Sequence, residues 1–203
     1  MSPVEETYLD MAKSFEIQGN YEKALVWYRK IQDNADVYET IGEYLYRGRG
    51  CGKDKQEAKK FFKKAAEYQC IDAMCNLALC EDDLDSKLLW YKRAAEKGNA
   101  YGMNMVGIIL EDKGTDNTDE CTLWFKKAAD AGSEIGCYNY AMNVDDAATR
   151  IKYLEAAVEK EYIVAMEKYA DYLARGIFCE KDVSKAEQLK KKIRQLKAKI
   201  EEL

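Results

Sequence analysis

One short phrase recurs in this chain and decides what it can become. Phe61-Phe62-Lys63-Lys64-Ala65-Ala66-Glu67, Trp90-Tyr91-Lys92-Arg93-Ala94-Ala95-Glu96 and Trp124-Phe125-Lys126-Lys127-Ala128-Ala129-Asp130 are versions of one another, and Tyr153-Leu154-Glu155-Ala156-Ala157-Val158-Glu159 is a looser fourth. Their first alanines fall at 65, 94, 128 and 156, so the copies stand 29, 34 and 28 residues apart. The same register reaches back to Trp27-Tyr28-Arg29-Lys30-Ile31 and forward to Leu189-Lys190-Lys191-Lys192-Ile193, which makes six units. Self-similarity at this period marks a repeat array, in which no unit can bury its apolar face alone.

Each unit has a second anchor upstream, a small residue behind a larger apolar one: Met11-Ala12, Ile41-Gly42, Leu77-Ala78, Val106-Gly107, Tyr140-Ala141 and Tyr169-Ala170. Apolar residues recur around both anchors at i, i+3, i+4 and i+7, the helical period, so a unit is a helix, a turn and a second helix. The spacing predicts an all-α, right-handed α-solenoid of six helix-turn-helix repeats, about twelve helices. Small first-helix residues let the second helix approach, and the aromatic pair and Ala-Ala fill the seam to the next unit. Gly19, Gly48, Gly114 and Gly176 stand near ends of first helices, and Gly98 and Gly132 after second ones, where a left-handed cap favours glycine. Longer units place extra residues between their helices, as in 48–54. Shorter ones use clipped acidic turns, Glu81-Asp82-Asp83 and Asn143-Val144-Asp145-Asp146.

Composition removes much of chemistry. There is no histidine, hence no Ser-His or Cys-His pair, no His-ligated zinc and no imidazole acid or base near neutral pH. A single proline, Pro3, leaves helix uninterrupted. No apolar run approaches the ~20 residues of a membrane-spanning helix. The opening Met-Ser-Pro-Val-Glu-Glu does not read as a secretory signal, and seven cysteines is an odd number, so reduced thiols and a cytoplasmic setting are expected. A net charge of −5 gives no general reason to expect nucleic acid.

The stretch Tyr44-Leu45-Tyr46-Arg47-Gly48-Arg49-Gly50, followed by Lys53-Asp54, Glu57-Ala58 and Phe61 to Glu67, resembles a Sel1-like repeat. The first unit is closer to a tetratricopeptide repeat, matching at Tyr8, Met11, Ala12, Phe15, Ala24, Tyr28 and Ile31 without the usual terminal proline. Units three and five depart from the pattern by lacking its Gly-x-Gly loop. The resemblance implies one solenoid domain over 1–203, with a tetratricopeptide-like unit at 4–33, Sel1-like repeats at 34–181 and a capping amphipathic helix at 182–203. It also implies a non-catalytic adaptor that binds a peptide or helix of another protein on its concave surface. The competing reading is a dedicated inhibitor, an immunity-type subunit of a partner enzyme.

Candidates for chemistry have structural explanations. Cys70, Cys75 and Cys80 are spaced by five, about 140° apart on a helix, and no C-x-x-C occurs. No metal or cofactor is expected. Asp82, Asp83, Asp85, Glu111, Asp112, Asp116, Asp119, Asp145 and Asp146 stand in turns or at helix starts, where carboxylates cap. The 15 tyrosines tempt one toward base stacking, but Tyr28, Tyr91 and Tyr153 occupy the seam positions held elsewhere by Phe62 and Phe125. The last helix is basic at Lys185, Lys190, Lys191, Lys192, Arg194, Lys197 and Lys199, with Leu189, Ile193, Leu196, Ile200 and Leu203 in a 4-3-4-3 seam. Up to Ile193 it reads as a cap. Its last three turns suggest a weak homodimer, with nucleic-acid contact a lesser alternative.

The partner surface follows from the anchors. One residue after them stand Lys13, Glu43, Leu79, Ile108, Met142 and Asp171; three before stand Leu9, Glu39, Cys75, Asn104, Tyr138 and Glu167; Tyr101 and Ile135 lie six before. The expected site is therefore an apolar centre of Cys75, Leu79, Tyr101, Asn104, Ile108, Ile135, Tyr138 and Met142. Glu39, Glu43, Glu167 and Asp171 flank it, together with Asp72, Glu111 and Asp112. Its ligand should carry apolar anchors and basic flanks.

Overall fold

The computed structural model describes residues 2–114 and 118–201, and over these the chain forms twelve helices and no strand. The chain divides into two compact units, Met1–Lys97 and Gly98–Leu203. The first holds α1 (Pro3–Ile17), α2 (Tyr21–Tyr28), α3 (Ala35–Arg47), α4 (Lys55–Glu67), α5 (Ile71–Cys80) and α6 (Leu84–Glu96). The second holds α7 (Ala100–Asp112), α8 (Thr118–Asp130), α9 (Glu134–Asn143), α10 (Ala147–Glu159), α11 (Ile163–Arg175) and α12 (Val183–Glu201). Odd-numbered helices carry the small anchor and even-numbered ones the recurring phrase, and each odd-numbered helix packs on the even-numbered one that follows it. Among the described residues no helix is long and apolar enough to cross a membrane.

Helix starts are set by side chains that satisfy otherwise orphaned amides. Asn20, Asn34, Asp54, Asp83, Asn99, Ser133 and Asp146 each accept from the backbone N–H three residues on. Ser2 and Glu5 form a reciprocal box at the head of α1. Each such cap contributes about 1 kcal/mol. Asp83 and Asp146 are thus accounted for as caps. At the other ends, Gly48 and Gly176 close α3 and α11 in the left-handed region, at φ +72° and +71°, where a β-carbon would be strained.

Where the anchor is not alanine, in α3/α4 and α7/α8, the seam inside the pair depends on a missing β-carbon. One built on Gly42 would fall 2.6 Å from the ring of Phe62, and one on Gly107 would fall 2.5 Å from the ring of Phe125. Both rings are 1% exposed, and Tyr28 and Tyr91 hold the same position in α2 and α6. In the fifth pair the register differs by one residue from the sequence reading. Counted from the cap Asp146, the equivalents of Phe62 and Ala65 are Leu154 and Ala157, both fully buried, while Tyr153 and Ala156 are half-buried. Tyr153 is not a seam residue; it stacks edge-on to Tyr140 at 4.6 Å and donates to Asp130. The physical cause is that the cap, not the Ala-Ala doublet, fixes where the helix begins and hence which face turns inward.

The first aromatic of the phrase has a different task. Trp27, Trp90 and Trp124 lie half-buried beneath the cations three residues on, with Lys30 3.7 Å, Arg93 4.5 Å and Lys127 4.0 Å from the ring centroid. The i, i+3 spacing places the cation over the ring face, which is why a basic residue follows each tryptophan at that distance. One further tie is specific to the first unit. The hydroxyls of Tyr28 and Tyr44 both donate to Glu16, at 2.7 and 2.8 Å, so one carboxylate joins α1, α2 and α3.

Two stability measurements follow. Gly42→Ala should lose about 1–2 kcal/mol in urea unfolding because the Phe62 ring must move, and should become neutral or stabilising in a Phe62→Leu background, where alanine's helix preference prevails. Glu16→Ala strands two buried hydroxyls and should lose about 2–3 kcal/mol, with Glu16→Gln recovering much of it.

Candidate functional site

In the first unit α3 and α5 carry clustered carboxylates and an exposed leucine. Leu79 is 38% exposed on α5. Glu39 and Glu43 are half-buried on α3, Glu43 pairing with Arg47 at 3.0 Å, and Asp72 is exposed at the head of α5. Glu39 accepts from the Asn76 side-chain amide at 2.9 Å, which ties α3 to α5. Burial pushes the Glu39 carboxyl up to about 7, and the like charges of Glu43, Asp72 and Asp36 push in the same direction. Cys75, placed on the surface by the spacing argument, is 7% exposed, and burial drives its thiol up to about 12. It is a core residue because position 75 turns into the packed side of α5, between Met74 and Leu77.

In the second unit Tyr101 is 43% exposed, while Ile108 and Ile135 are half-buried. Asn104 is 2% exposed and accepts from the Asn139 amide at 2.8 Å, so it too leaves the surface. Tyr138 and Met142 are half-buried against the cluster that α9 to α12 build, Tyr138 lying edge-on to Tyr162 at 5.8 Å. Glu167 and Asp171 are exposed and paired, with Lys197 at 2.8 Å and Arg175 at 3.3 Å. Glu111 and Asp112 are exposed at the end of α7; Asp116 lies outside the described residues.

The spacing argument missed one device. The residue three before the anchor does more than face outward: at Glu39 and Asn104 it accepts from an asparagine of the next first helix. The signal was present, since Asn76 and Asn139 each stand two residues before an anchor, Ala78 and Ala141. The basic last helix also differs in part from its reading. Past Ile193 it still lies on α11, through half-buried Leu196 and the Lys197–Glu167 pair, and Ile200 is 61% exposed. Leu203 lies outside the described residues.

Among the described residues no group of three or more Cys, Asp or Glu side chains could hold a metal ion. No disulfide joins any of the seven cysteines, and burial raises the thiols of Cys75 and Cys80, to about 12 and 11, away from the reactive thiolate.

Glu39 makes the face sensitive to pH. Its folded value of about 7 lies above the unfolded value near 4.5, so the folded chain binds the extra proton between these limits. The contribution is therefore unfavourable above pH 7 and is relieved as pH falls toward 4.5. With solvent screening at this half-buried site, it amounts to on the order of 1–2 kcal/mol. Glu39→Gln, which can still accept from Asn76, should stabilise the chain at pH 8 and have little effect at pH 5. Urea unfolding of both proteins at the two pH values checks the sign.

Known proteins share this organisation. The Sel1 repeat model matches residues 14–31, 41–67, 88–99, 100–133 and 163–191, more than half of the chain. A Sel1 repeat protein from Oxalobacter formigenes superposes with a TM-score of 0.82 at 21% identity, over 97% of this chain and 91% of its own. The protective antigen c5321 of uropathogenic Escherichia coli, described as displaying an SLR fold, superposes at 0.79 and 21% identity, over 90% of this chain and 44% of its own. YrrB, described as a TPR protein with an unusual peptide-binding site, superposes at 0.52 and 19% identity, over 80% of this chain and 90% of its own. No curated protein matches the chain in sequence. With more than half of its length matched, the chain belongs to the Sel1-repeat family.

Proposed function

We propose that the protein is a non-catalytic interaction module whose first-helix faces hold a segment of another protein, with apolar anchors set between basic residues. The observation that carries this reading is the cluster of Glu39, Glu43 and Asp72 across α3 and α5, with Leu79 exposed on α5. An exposed apolar side chain on helices that also carry clustered carboxylates offers a contact to an apolar anchor and an electrostatic preference for a cationic flank. Tyr101 and Ile108 supply apolar surface on the second unit, and tyrosine is well suited to such contacts. The peptide-binding site named for YrrB is consistent with this use of stacked helix pairs. Cys75 and Asn104 take no part, because they are buried. We read the setting as cytoplasmic, where seven thiols stay reduced.

Display selection of random peptides on the full chain tests the proposal. The recovered sequences should combine apolar residues with Lys or Arg, and their binding should weaken as salt rises. Leu79→Asp and Glu43→Lys should each weaken it by at least about tenfold with helicity and melting unchanged. Recovery of peptides without basic residues, or binding indifferent to both substitutions, would count against it.

A further inference from the structure

The sixth pair repeats the second position for position. α3 and α11 both span thirteen residues, both end on a left-handed glycine, and the loops to α4 and α12 close with the same backbone bond, Asp54 N–H to Leu45 O and Asp182 N–H to Leu173 O, each 2.9 Å. Glu167, Ala170 and Lys190 therefore stand where Glu39, Gly42 and Phe62 stand in the second pair. In the second pair the groove between the two helices receives the next first helix, α5, which packs on both α3 and α4. The groove of α7 and α8 receives α9 in the same way. Between α11 and α12 the groove is open among the described residues. It has a volume of about 400 Å³, a floor that includes Ala170, Ala174 and Ile193, and a rim that includes Glu167, Lys190 and Arg194.

α1 leaves exposed part of the face that other first helices bury. Met11, one residue before its anchor, is 38% exposed on α1, and Val4 is 57% exposed; the equivalents of Met11 in α3, α5 and α7, Ile41, Leu77 and Val106, are at most 1% exposed. Both surfaces carry charge of either sign: the groove's carboxylates, Glu167 and Asp171, are already paired with Lys197 and Arg175, and α1 exposes Lys13 beside its acidic residues. Glu6 and Asp10 are exposed on α1. Arg194 donates from Nε to the Lys190 carbonyl, and the Glu187 carboxyl, lowered chiefly by its bond to Lys190, is lowered further by the Arg194 charge. Asp10 stands where Asn76 and Asn139 stand in their helices, two before the anchor. In those seated helices this residue meets the one at the Glu39 position, and in the open groove that residue, Glu167, already carries Lys197 at 2.8 Å. Lys197 and Arg194 thus supply cations where α1 brings a carboxylate.

We propose that the open α11/α12 groove is a seat for α1 of a second copy of this chain, giving head-to-tail association. The contact is heterologous, so a joined pair keeps one free groove and one free α1, and assembly proceeds beyond the dimer. It differs from pairing through the tail of α12 and leaves the first-helix faces of α3 and α5 unused.

Sedimentation velocity of the full chain over a concentration series tests it. The average mass should rise with concentration and fall back at high salt. Met11→Lys and Arg194→Glu, both at exposed positions and both checked for unchanged melting, should each weaken association by at least about tenfold. An equimolar mixture of the two variants should associate again, because the unaltered groove of the Met11→Lys chain then receives the unaltered α1 of the Arg194→Glu chain. A wild-type chain that stays monomeric to high micromolar concentration would overturn the proposal and leave the groove to a helix of another protein. Association that survives both substitutions, or a mixture that fails to recover it, would overturn it equally.

Discussion

The fold depends on one steric constraint: the first helix of each pair carries only a small residue, glycine or alanine, where its partner helix crosses, and in α3/α4 and α7/α8 a ring lies where even a β-carbon would be. At Gly42 and Gly107 the clearance is absolute, since a methyl group would come within 2.6 and 2.5 Å of Phe62 and Phe125. Close approach brings the Ala-Ala side of the second helix against the next first helix, as when Ala65 meets Ala73 beneath Tyr38. The apolar area so buried is what stabilises helices that are only eight to nineteen residues long, too short for most of them to persist alone. Glycine in mid-helix costs about 1 kcal/mol in propensity. The seam returns more than that, because a fully buried aromatic contributes several times as much.

Most of this was legible because packing constraints write themselves into residue size. The anchors Ala12, Gly42, Ala78, Gly107, Ala141 and Ala170 are all buried, as their spacing implied. What spacing could not give was rotation. In α10 the Ala-Ala doublet suggested Ala156 as the seam residue, yet the cap at Asp146 turned Ala157 inward, and a one-residue difference is 100° of helix. The same limit applies to the site. Leu79 and Tyr101 came out exposed, whereas Cys75 and Asn104, assigned to the same face by counting from the anchors, are buried. Counting along one helix locates a direction; whether that direction meets water is decided by the neighbouring helix, and in α7 by Asn139 of α9.

Polar ties sit where the stacking is least uniform. Glu16 gathers two tyrosine hydroxyls across α1, α2 and α3, and Glu155 accepts from Tyr169 and from Lys185, joining α10, α11 and α12. Near each end of the array a carboxylate is thus partly withdrawn from water and satisfied by phenols. A buried carboxylate left without such donors would cost several kcal/mol, so these ties specify which helices meet as well as adding stability. The tyrosine pKa values at these points are raised by burial first and by the carboxylate second, which keeps the phenols as donors throughout the physiological range.

Glu39 is the opposite case and says more about use. It is half-buried among Glu43, Asp72 and Asp36 with only the Asn76 amide to offset them, and its carboxyl is held near neutrality. Packing alone would not select that arrangement: glutamine would accept the same hydrogen bond without the repulsion. Asn104 shows this within the chain, since it fills the same position in α7 with a neutral side chain and the same kind of donor opposite. The carboxylate at 39 therefore carries a cost that its counterpart avoids. Such local costs are typical of surfaces that meet a ligand. A cationic group arriving beside Leu79 would offset the repulsion and favour the ionised form, so the energy withheld from folding becomes available to binding.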